Sequence, residues 1–190
     1  MATQYGIGIG DGYAYHLNTT DWATSRDATS ATASAHNVLN FIYGVRERNF
    51  AGRGGGSQRV VGRSFFAFDT SGISSAPSAA TLKIKGVFSG TCDFFVVKST
   101  HTTTGGGLAD GDFDAITGWS AGADNEGNVT KYSAEITSWE STSGAYNTIT
   151  LNSTALSDIA SLDTFKVCLI GSIYDLRNVE PTANYDGKTG

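Results

Sequence analysis

The chain has 190 residues, of which 16% are charged and 39% hydrophobic, with 24 glycines, 2 prolines and a net charge of −5. Frequent glycine beside many serines, threonines and aromatics is typical of short strands joined by turns and excludes a chain built mainly of helices. The negative charge argues against nucleic acid as a partner, because a phosphate backbone requires a basic patch. No apolar run approaches the ~20 residues that cross a bilayer, so we expect no membrane partner.

The first half of the chain is predicted to consist of strands separated by polar loops. Alternation of Leu39, Phe41, Tyr43 and Val45 with polar or small residues indicates a half-buried strand. In the strand that follows Pro77, Leu82 and Ile84 face one way and Lys83 and Lys85 the other. Strands are predicted over 4–9, 12–17, 38–49, 59–69, 81–88 and 92–98, with 38–49 and 59–69 as a hairpin.

The second half begins with an irregular stretch, 99–130, and ends in strands around one helix. Strands are predicted over 131–137, 146–151 and 164–171, the last with Phe165, Val167 and Leu169 on one face. Residues 152–162 form the predicted helix, with Asn152 or Ser153 as its N-cap.

These elements predict an all-β protein, a two-sheet antiparallel β-sandwich of the jelly-roll type with one short helix. We expect residues 1–190 to form a single sandwich domain. Its candidate mobile loops are 18–37, in which Trp22 is a possible anchor, 51–57 and 99–130.

The stretch 63–86 has an aromatic strand ending in Phe-Asp, a short loop with isoleucine, and a strand that begins Ala-Thr-Leu. The residues of this pattern are Phe66, Phe68, Asp69, Ile73, Ala80, Thr81 and Leu82, and 93–100, 108–119, 147–159 and 165–181 follow in matching order. The pattern resembles the jelly-roll family named for a DNRLRE signature. That family is similar to carbohydrate-binding modules and occurs in phage structural proteins and bacterial surface proteins. The resemblance covers residues 10–185.

The resemblance implies a protein that binds rather than catalyses. We expect a non-enzymatic virion structural protein of a phage, as capsid decoration or as a tail or fibre component. Its partners would be other virion proteins and copies of itself. Residues 1–16 lack a basic region followed by an apolar stretch, which favours a protein made in the host cytoplasm and displayed on the virion surface. The alternative is a carbohydrate-binding or adhesive module of a cell-surface or extracellular fibre protein, with a host surface glycan as its ligand.

Two departures from the family pattern bear on assembly. The DNRLRE signature itself is absent, and the chain ends where such domains add one more strand. We expect that strand to come from the N-terminus or from a neighbouring chain. An open sheet edge is a template for pairing, and strand addition joins chains in many assemblies.

Two groups of residues are candidates for ligand binding. Asp110, Asp112 and Asp114 alternate in a glycine-containing loop, which could supply carboxylates to Ca²⁺, or could be a solvated acidic loop with Phe113 packed inward. Trp22, Trp119 and Trp139 lie in polar stretches, where each could stack on a sugar ring or anchor a loop. Calcium is the only cofactor that the sequence suggests.

The charged residues are expected to be structural. Arg46, Arg48, Arg53, Arg59 and Arg63 are expected on the solvent faces of the predicted hairpin. Asp69 and Asp175 are each expected to pair with Arg63 or Arg177.

No catalytic constellation is predicted, and we expect no enzymatic activity. His16, His36 and His101 lack metal-ligand spacing, and nothing selects Glu135 and Glu140 as a glycosidase pair. The two cysteines, Cys92 and Cys168, are expected to be buried free thiols, with a disulfide between neighbouring strands as the alternative.

Overall fold

The computed structural model describes residues 10–18, 21–36, 46–51, 57–86, 92–142, 145–181 and 184–185. The strands are β1 (Gly12–Asn18), β2 (Ala33–His36), β3 (Arg46–Ala51), β4 (Ser57–Asp69), β5 (Thr81–Lys85), β6 (Phe94–Lys98), β7 (Tyr146–Thr150), β8 (Thr164–Gly171) and β9 (Asn184–Tyr185). The helices are α1 (Trp22–Arg26) and α2 (Ser153–Ser161), with a 3₁₀ turn at Asp110–Asp112 and a π-helical turn at Ser172–Leu176. Within these residues seven strands form one antiparallel sheet and β5 and β7 form a second. The predicted all-β, two-sheet antiparallel sandwich is confirmed.

The long strand β4 organises the larger sheet. Along one edge it pairs with β1 over 59–65, and along the other it pairs first with β3 over 57–62 and then with β8 over 64–69. Strands β2, β9 and β6 extend the sheet beyond β1, β3 and β8 respectively. The predicted pairing of the two arms of the hairpin is confirmed, while residues 37–45 and 52–56 lie outside the described chain.

The larger sheet is apolar on both faces, because alternate residues of its central strands point to opposite sides. Phe165, Val167 and Leu169 of β8 share one face, as predicted, whereas Cys168 and Ile170 lie on the other. The side chains therefore divide into two clusters, which we call the sandwich core and the loop core. The sandwich core is Leu82, Ile84, Cys92, Phe94, Val96, Tyr132, Ile149, Leu151, Ala155, Ile159, Phe165, Val167 and Leu169. The loop core is Ala14, Trp22, Val61, Phe65, Phe95, Val97, Leu108, Phe113, Ile116, Val129, Cys168, Ile170 and Leu176.

The second sheet and α2 cover the sandwich core. Helix α2 begins at the predicted position, with Asn152 as its N-cap. The Asn152 side chain accepts a hydrogen bond from the backbone N–H of Ala155 at 3.1 Å. The helix buries Ala155 and Ile159 against the sheets. Complete burial of a side chain such as Ile159 stabilises the fold by roughly 1.5–3 kcal/mol.

The loop core is covered by three pieces of chain with little strand structure. They are α1, the irregular stretch 108–129 and the π-helical turn after β8. Within the predicted surface loop at 18–37, the described residues include regular structure, and Trp22 is the expected buried anchor. Asp21 caps a short helix there, whose Trp22 is buried, and β2 follows, paired with β1. A helix of five residues is too short to show helical periodicity in the sequence, so pattern analysis does not detect it. Burial of Trp22 in the tertiary structure stabilises it.

The predicted strand at 131–137 is only partly confirmed. The segment 131–137 makes only isolated bridges, Lys131 to Val97 and Ile136 to Phe94 on one side and Ser133 to Leu151 on the other, so it links the two sheets without being a regular strand. Strand β5 leaves the hairpin sheet and joins β7. The predicted strand at 4–9 lies outside the described residues.

Both cysteines are buried free thiols, as predicted. Burial raises the pKa of the Cys168 thiol, which keeps that side chain protonated.

Candidate functional site

The second sheet presents a hydrophilic surface to solvent. Its inward residues, among them Leu82 and Ile149, belong to the sandwich core, so the alternate residues face out. The exposed set, which we call the outer face, consists of Thr81, Lys83, Lys85, Tyr146, Thr148 and Thr150. Cross-strand neighbours on this face are Thr81 and Thr150, Lys83 and Thr148, and Lys85 and Tyr146. The predicted division of β5 into an apolar and a lysine face is confirmed.

The backbone of β5 has one paired and one open edge. The N–H of Leu151 donates to the carbonyl of Ala80 at 3.0 Å, and the N–H of Gly86 donates to the carbonyl of Ala145 at 3.2 Å. Hydrogen bonding in an antiparallel ladder alternates, so Leu82 and Ile84 also bond to β7, whereas the N–H and C=O groups of Thr81, Lys83 and Lys85 point away from it. No hydrogen bond within the described chain reaches these outward groups.

The other edge of the sheet faces a polar groove of about 490 Å³. By the same alternation, the N–H and C=O groups of Tyr146, Thr148 and Thr150 point into this groove. The groove is lined by Ser133, Ala134, Glu135, Ile136, Thr137 and Ser138 opposite the residues of β7. Two side-chain amides join the strands on its two sides: Asn147 bonds to both backbone groups of Glu140, and Asn152 donates to the carbonyl of Lys131 at 2.8 Å.

The outer face combines positive charge with one exposed aromatic ring. Lys83 and Lys85 form no ion pair with any described acidic residue, although the chain as a whole is acidic. Tyr146 is 64% exposed, the highest value among the large hydrophobic side chains of the described residues. This face can therefore offer hydrogen bonds, cations and an aromatic ring to a partner.

The three tryptophans that the sequence suggested for sugar binding do not lie together. Trp22 is 3% exposed and packs in the loop core. Trp119 is half-buried against the loop core, with the guanidinium carbons of Arg26 and Arg63 at 4.4 and 4.2 Å from its ring centre. Trp139 is half-buried against the sandwich core, edge-on to Phe94 with ring centres 5.5 Å apart. Each therefore has a packing role, and the most exposed large aromatic side chain of the described residues is Tyr146, which the sequence analysis did not single out.

The acidic triplet is placed on a turn rather than on an extended strand. Asp112 is buried and accepts hydrogen bonds from the N–H and hydroxyl of Thr102 and from the N–H of Ala109. Asp110 is exposed and accepts from Ser34 at 2.6 Å, while Asp114 contributes to the electrostatic field at Arg63. The described residues include no group of three or more acidic, histidine or cysteine side chains placed to hold a metal ion.

A charged cluster lies buried under the loop core, and we call it the buried charged cluster; it consists of Arg26, Arg63 and Asp175. Arg63 donates to the two carboxylate oxygens of Asp175 at 2.8 and 2.6 Å, and both side chains are fully buried. Its other bonds go to the backbone carbonyls of Phe113 and Arg26 at 2.8 and 3.0 Å. Arg26 donates to the backbone carbonyls of Asp175 and Ala123 and to the carboxylate of Asp27.

The cluster corrects two expectations about charge. Arg63 does not lie on a solvent face, because residue alternation along β4 places it on the same side as Val61 and Phe65, under the loops. Arg59, by contrast, is partly exposed and pairs with Glu180 at 2.9 Å. The predicted Arg63–Asp175 pair is confirmed, whereas Asp69 instead accepts hydrogen bonds from Ser71.

Arg177 makes surface contacts rather than pairing with a buried aspartate. It forms a bidentate bond with Glu126 at 2.7 and 2.9 Å and lies 3.8 Å from Glu135. Bonding to Arg177 lowers the pKa of Glu126 to about 2.

Ser99 and His101 form a contact that resembles a nucleophile beside a base. The Ser99 hydroxyl lies 2.8 Å from Nδ1 of His101, whose Nε2 lies 2.8 Å from the carbonyl of Gly10. Both residues are buried, and burial lowers the pKa of His101 to about 4. A base with that pKa, shielded from solvent, is suited to holding the 99–101 turn rather than to activating a serine.

Comparisons of the chain with protein-family models, with curated proteins and with solved structures each found no match. In the part of the chain that the structure describes, no helix has the length and apolar character needed to cross a membrane. The functional interpretation therefore depends on the residues of the chain itself.

Proposed function

We propose that the chain is a non-enzymatic virion structural protein of a phage, displayed on the particle surface as capsid decoration or as a tail or fibre component. In this role it acts through protein–protein contacts with other virion proteins and with copies of itself. The resemblance of residues 10–185 to the DNRLRE jelly-roll family supports the proposal.

The observation that carries the proposal is the outer face of the β5–β7 sheet with its open β5 edge. A sheet edge with unpaired backbone groups is a general site of contact between chains. The inward residues of the same strands are buried in the sandwich core, so the edge is held in an extended conformation before any partner binds. Such preorganisation reduces the loss of conformational entropy on association.

Mass spectrometry of purified phage particles from a natural host lysate tests this proposal. We expect peptides of this chain to copurify with the major capsid protein through a density gradient and to disappear after external protease treatment. The soluble lysate fraction of the same gradient is the control. Absence of the chain from intact particles contradicts the proposal.

The alternative function is a carbohydrate-binding or adhesive module of a cell-surface or extracellular fibre protein. Tyr146 favours it, because an exposed ring beside a groove rich in hydroxyl groups offers both stacking and hydrogen bonds to a sugar. Binding on a glycan array that is lost on Tyr146→Ala and kept on Val179→Ala would support this alternative. Val179 is a suitable control because it is also exposed, at 46%, and lies outside the groove. A glycan array without any binding contradicts it.

A further inference from the structure

We propose that the outer edge of β5 binds an extended acidic segment of a partner protein, which adds to the β5–β7 sheet as a third strand. The added strand would bond to the backbone of Thr81, Lys83 and Lys85. This inference rests on the proposed function, which supplies a partner protein, and it adds the chemistry of the segment of that partner that binds.

The backbone of β5 supplies the pairing groups. The backbone groups of Leu82 and Ile84 form hydrogen bonds with β7. The N–H and C=O groups of Thr81, Lys83 and Lys85 therefore point away from β7, toward the open edge. Within the described chain those outward groups have no partner. Three residues with two groups each give a ladder long enough to fix the register of a short added strand.

The side chains of β5 select the charge of that strand. Lys83 and Lys85 are two residues apart and project from the same side of the sheet, both exposed. Residues directly opposite each other on adjacent strands have Cβ atoms about 4.5–5.5 Å apart, within reach of an ion pair. A strand with carboxylates at alternate positions therefore matches both lysines at once.

A second copy of the chain fits this edge less well. Two β5 edges paired about a two-fold axis, using all three outward residues of each copy, place Lys83 opposite Lys83 of the second copy. Like charges directly opposite each other on adjacent strands are unfavourable. Lysines on an edge strand also discourage nonspecific pairing between identical sheets.

Binding of synthetic peptides tests the inference. The probe is an end-capped peptide of about seven residues in which glutamate alternates with threonine, a length that covers the edge of β5. Isothermal titration calorimetry would measure affinity, and amide hydrogen exchange by NMR would locate the contact. We expect binding together with slower exchange at the amides of Thr81, Lys83 and Lys85. A peptide with lysine in place of glutamate is expected not to bind.

Two variants separate backbone pairing from charge attraction. Lys83→Pro removes one outward N–H without removing a bond to β7, a position at which an edge strand tolerates proline. We expect it to abolish the slowed exchange, while Lys83→Glu with Lys85→Glu weakens binding by at least about tenfold. The control for negative charge added elsewhere is Ala121→Glu, at an exposed loop residue outside the second sheet.

Three results would overturn the inference. The first is no binding of the glutamate peptide at millimolar concentration, and the second is slowed exchange only at Thr148 and Thr150 of the groove. The third is binding that the variant Lys83→Glu with Lys85→Glu does not weaken. If Lys83→Pro fails to fold, the two-lysine variant and the exchange pattern still decide. Failure here leaves detection of the chain in virions unaffected, so the inference and the proposed function can fail separately.

Discussion

The buried charged cluster and the outer face of the second sheet use positive charge in opposite ways. Each guanidinium of the cluster has several partners within the fold, including the carboxylate of Asp175 for Arg63. Lys83 and Lys85 have no ion-pair partner among the described residues. A planar guanidinium suits buried, multiply bonded positions, whereas an ammonium on a flexible stem stays hydrated until a partner arrives. The comparison indicates that internal charge fixes the packing of the loops and that surface charge is available for recognition.

The substitution expected to have the largest effect on stability is Asp175→Ala in the buried charged cluster. The substitution leaves Arg63 buried without its carboxylate, so we expect the free energy of unfolding to fall by about 3–5 kcal/mol. Urea denaturation followed by tryptophan fluorescence measures it, since Trp119 stacks on both arginines of the cluster.

The matched control is Glu126→Ala, which removes the carboxylate bound by Arg177 at the surface. Solvent-exposed ion pairs contribute little to stability, so we expect a much smaller loss than for Asp175→Ala. Equal losses for the two variants would show that burial of the Arg63–Asp175 pair makes no difference.

A second test concerns buried ionisable groups: titration of His101 should make the stability of the fold depend on pH. Burial lowers the pKa of this histidine to about 4 from 6.5, with Lys166 and Asp112 as its charged neighbours. Between these two pH values the unfolded chain binds a proton that the folded chain does not. Stability from this group is therefore complete above pH 6.5 and is lost as the pH falls toward 4, by about 3 kcal/mol in all.

His101→Gln is the comparison for this effect. The variant should be less stable at pH 7, because Ser99 and the Gly10 carbonyl lose a fitted partner. Its free energy of unfolding should nevertheless change less between pH 6.5 and 4 than that of the natural chain. Parallel pH profiles for the two proteins would contradict the assignment.

The sequence predicts the regular parts of the fold well because their signals are local. Alternation of apolar and polar residues identified β5, the shared face of Phe165, Val167 and Leu169 identified β8, and Asn152 before a helical spacing identified α2. The burial of Arg63 was missed for a physical reason: a charged residue in an alternating strand looks solvent-facing unless the loops that cover it are known.

The candidate site was only partly predictable. The lysine face of β5 follows directly from alternation with Leu82 and Ile84. Tyr146 could have been found in the same way, since it shares the exposed phase of Thr148 and Thr150. The open edge of β5 could not, because it depends on pairing with β7, about 65 residues further along the chain.

A smaller effect is expected at the junction of the groove and α2. Asn152 accepts from the N–H of Ala155 and donates to the carbonyl of Lys131. Asn152→Ala removes both bonds and should lower the free energy of unfolding by about 1 kcal/mol. Asn152→Asp keeps the helix cap and loses only the donor, so it should retain most of the stability. A loss for Asn152→Asp as large as that for Asn152→Ala would indicate that the bond to Lys131 dominates.

The smallest effect on stability is expected on the outer face itself. Lys83→Gln with Lys85→Gln removes two charges that have no described ion-pair partner, so the free energy of unfolding should change by no more than about 0.5 kcal/mol. Thermal denaturation measures it at two salt concentrations. A loss above 1 kcal/mol that disappears in high salt would mean that the lysines stabilise the fold, as the arginines of the buried cluster do. An unchanged stability, together with lost binding of the acidic peptide, would show that these two charges serve recognition alone.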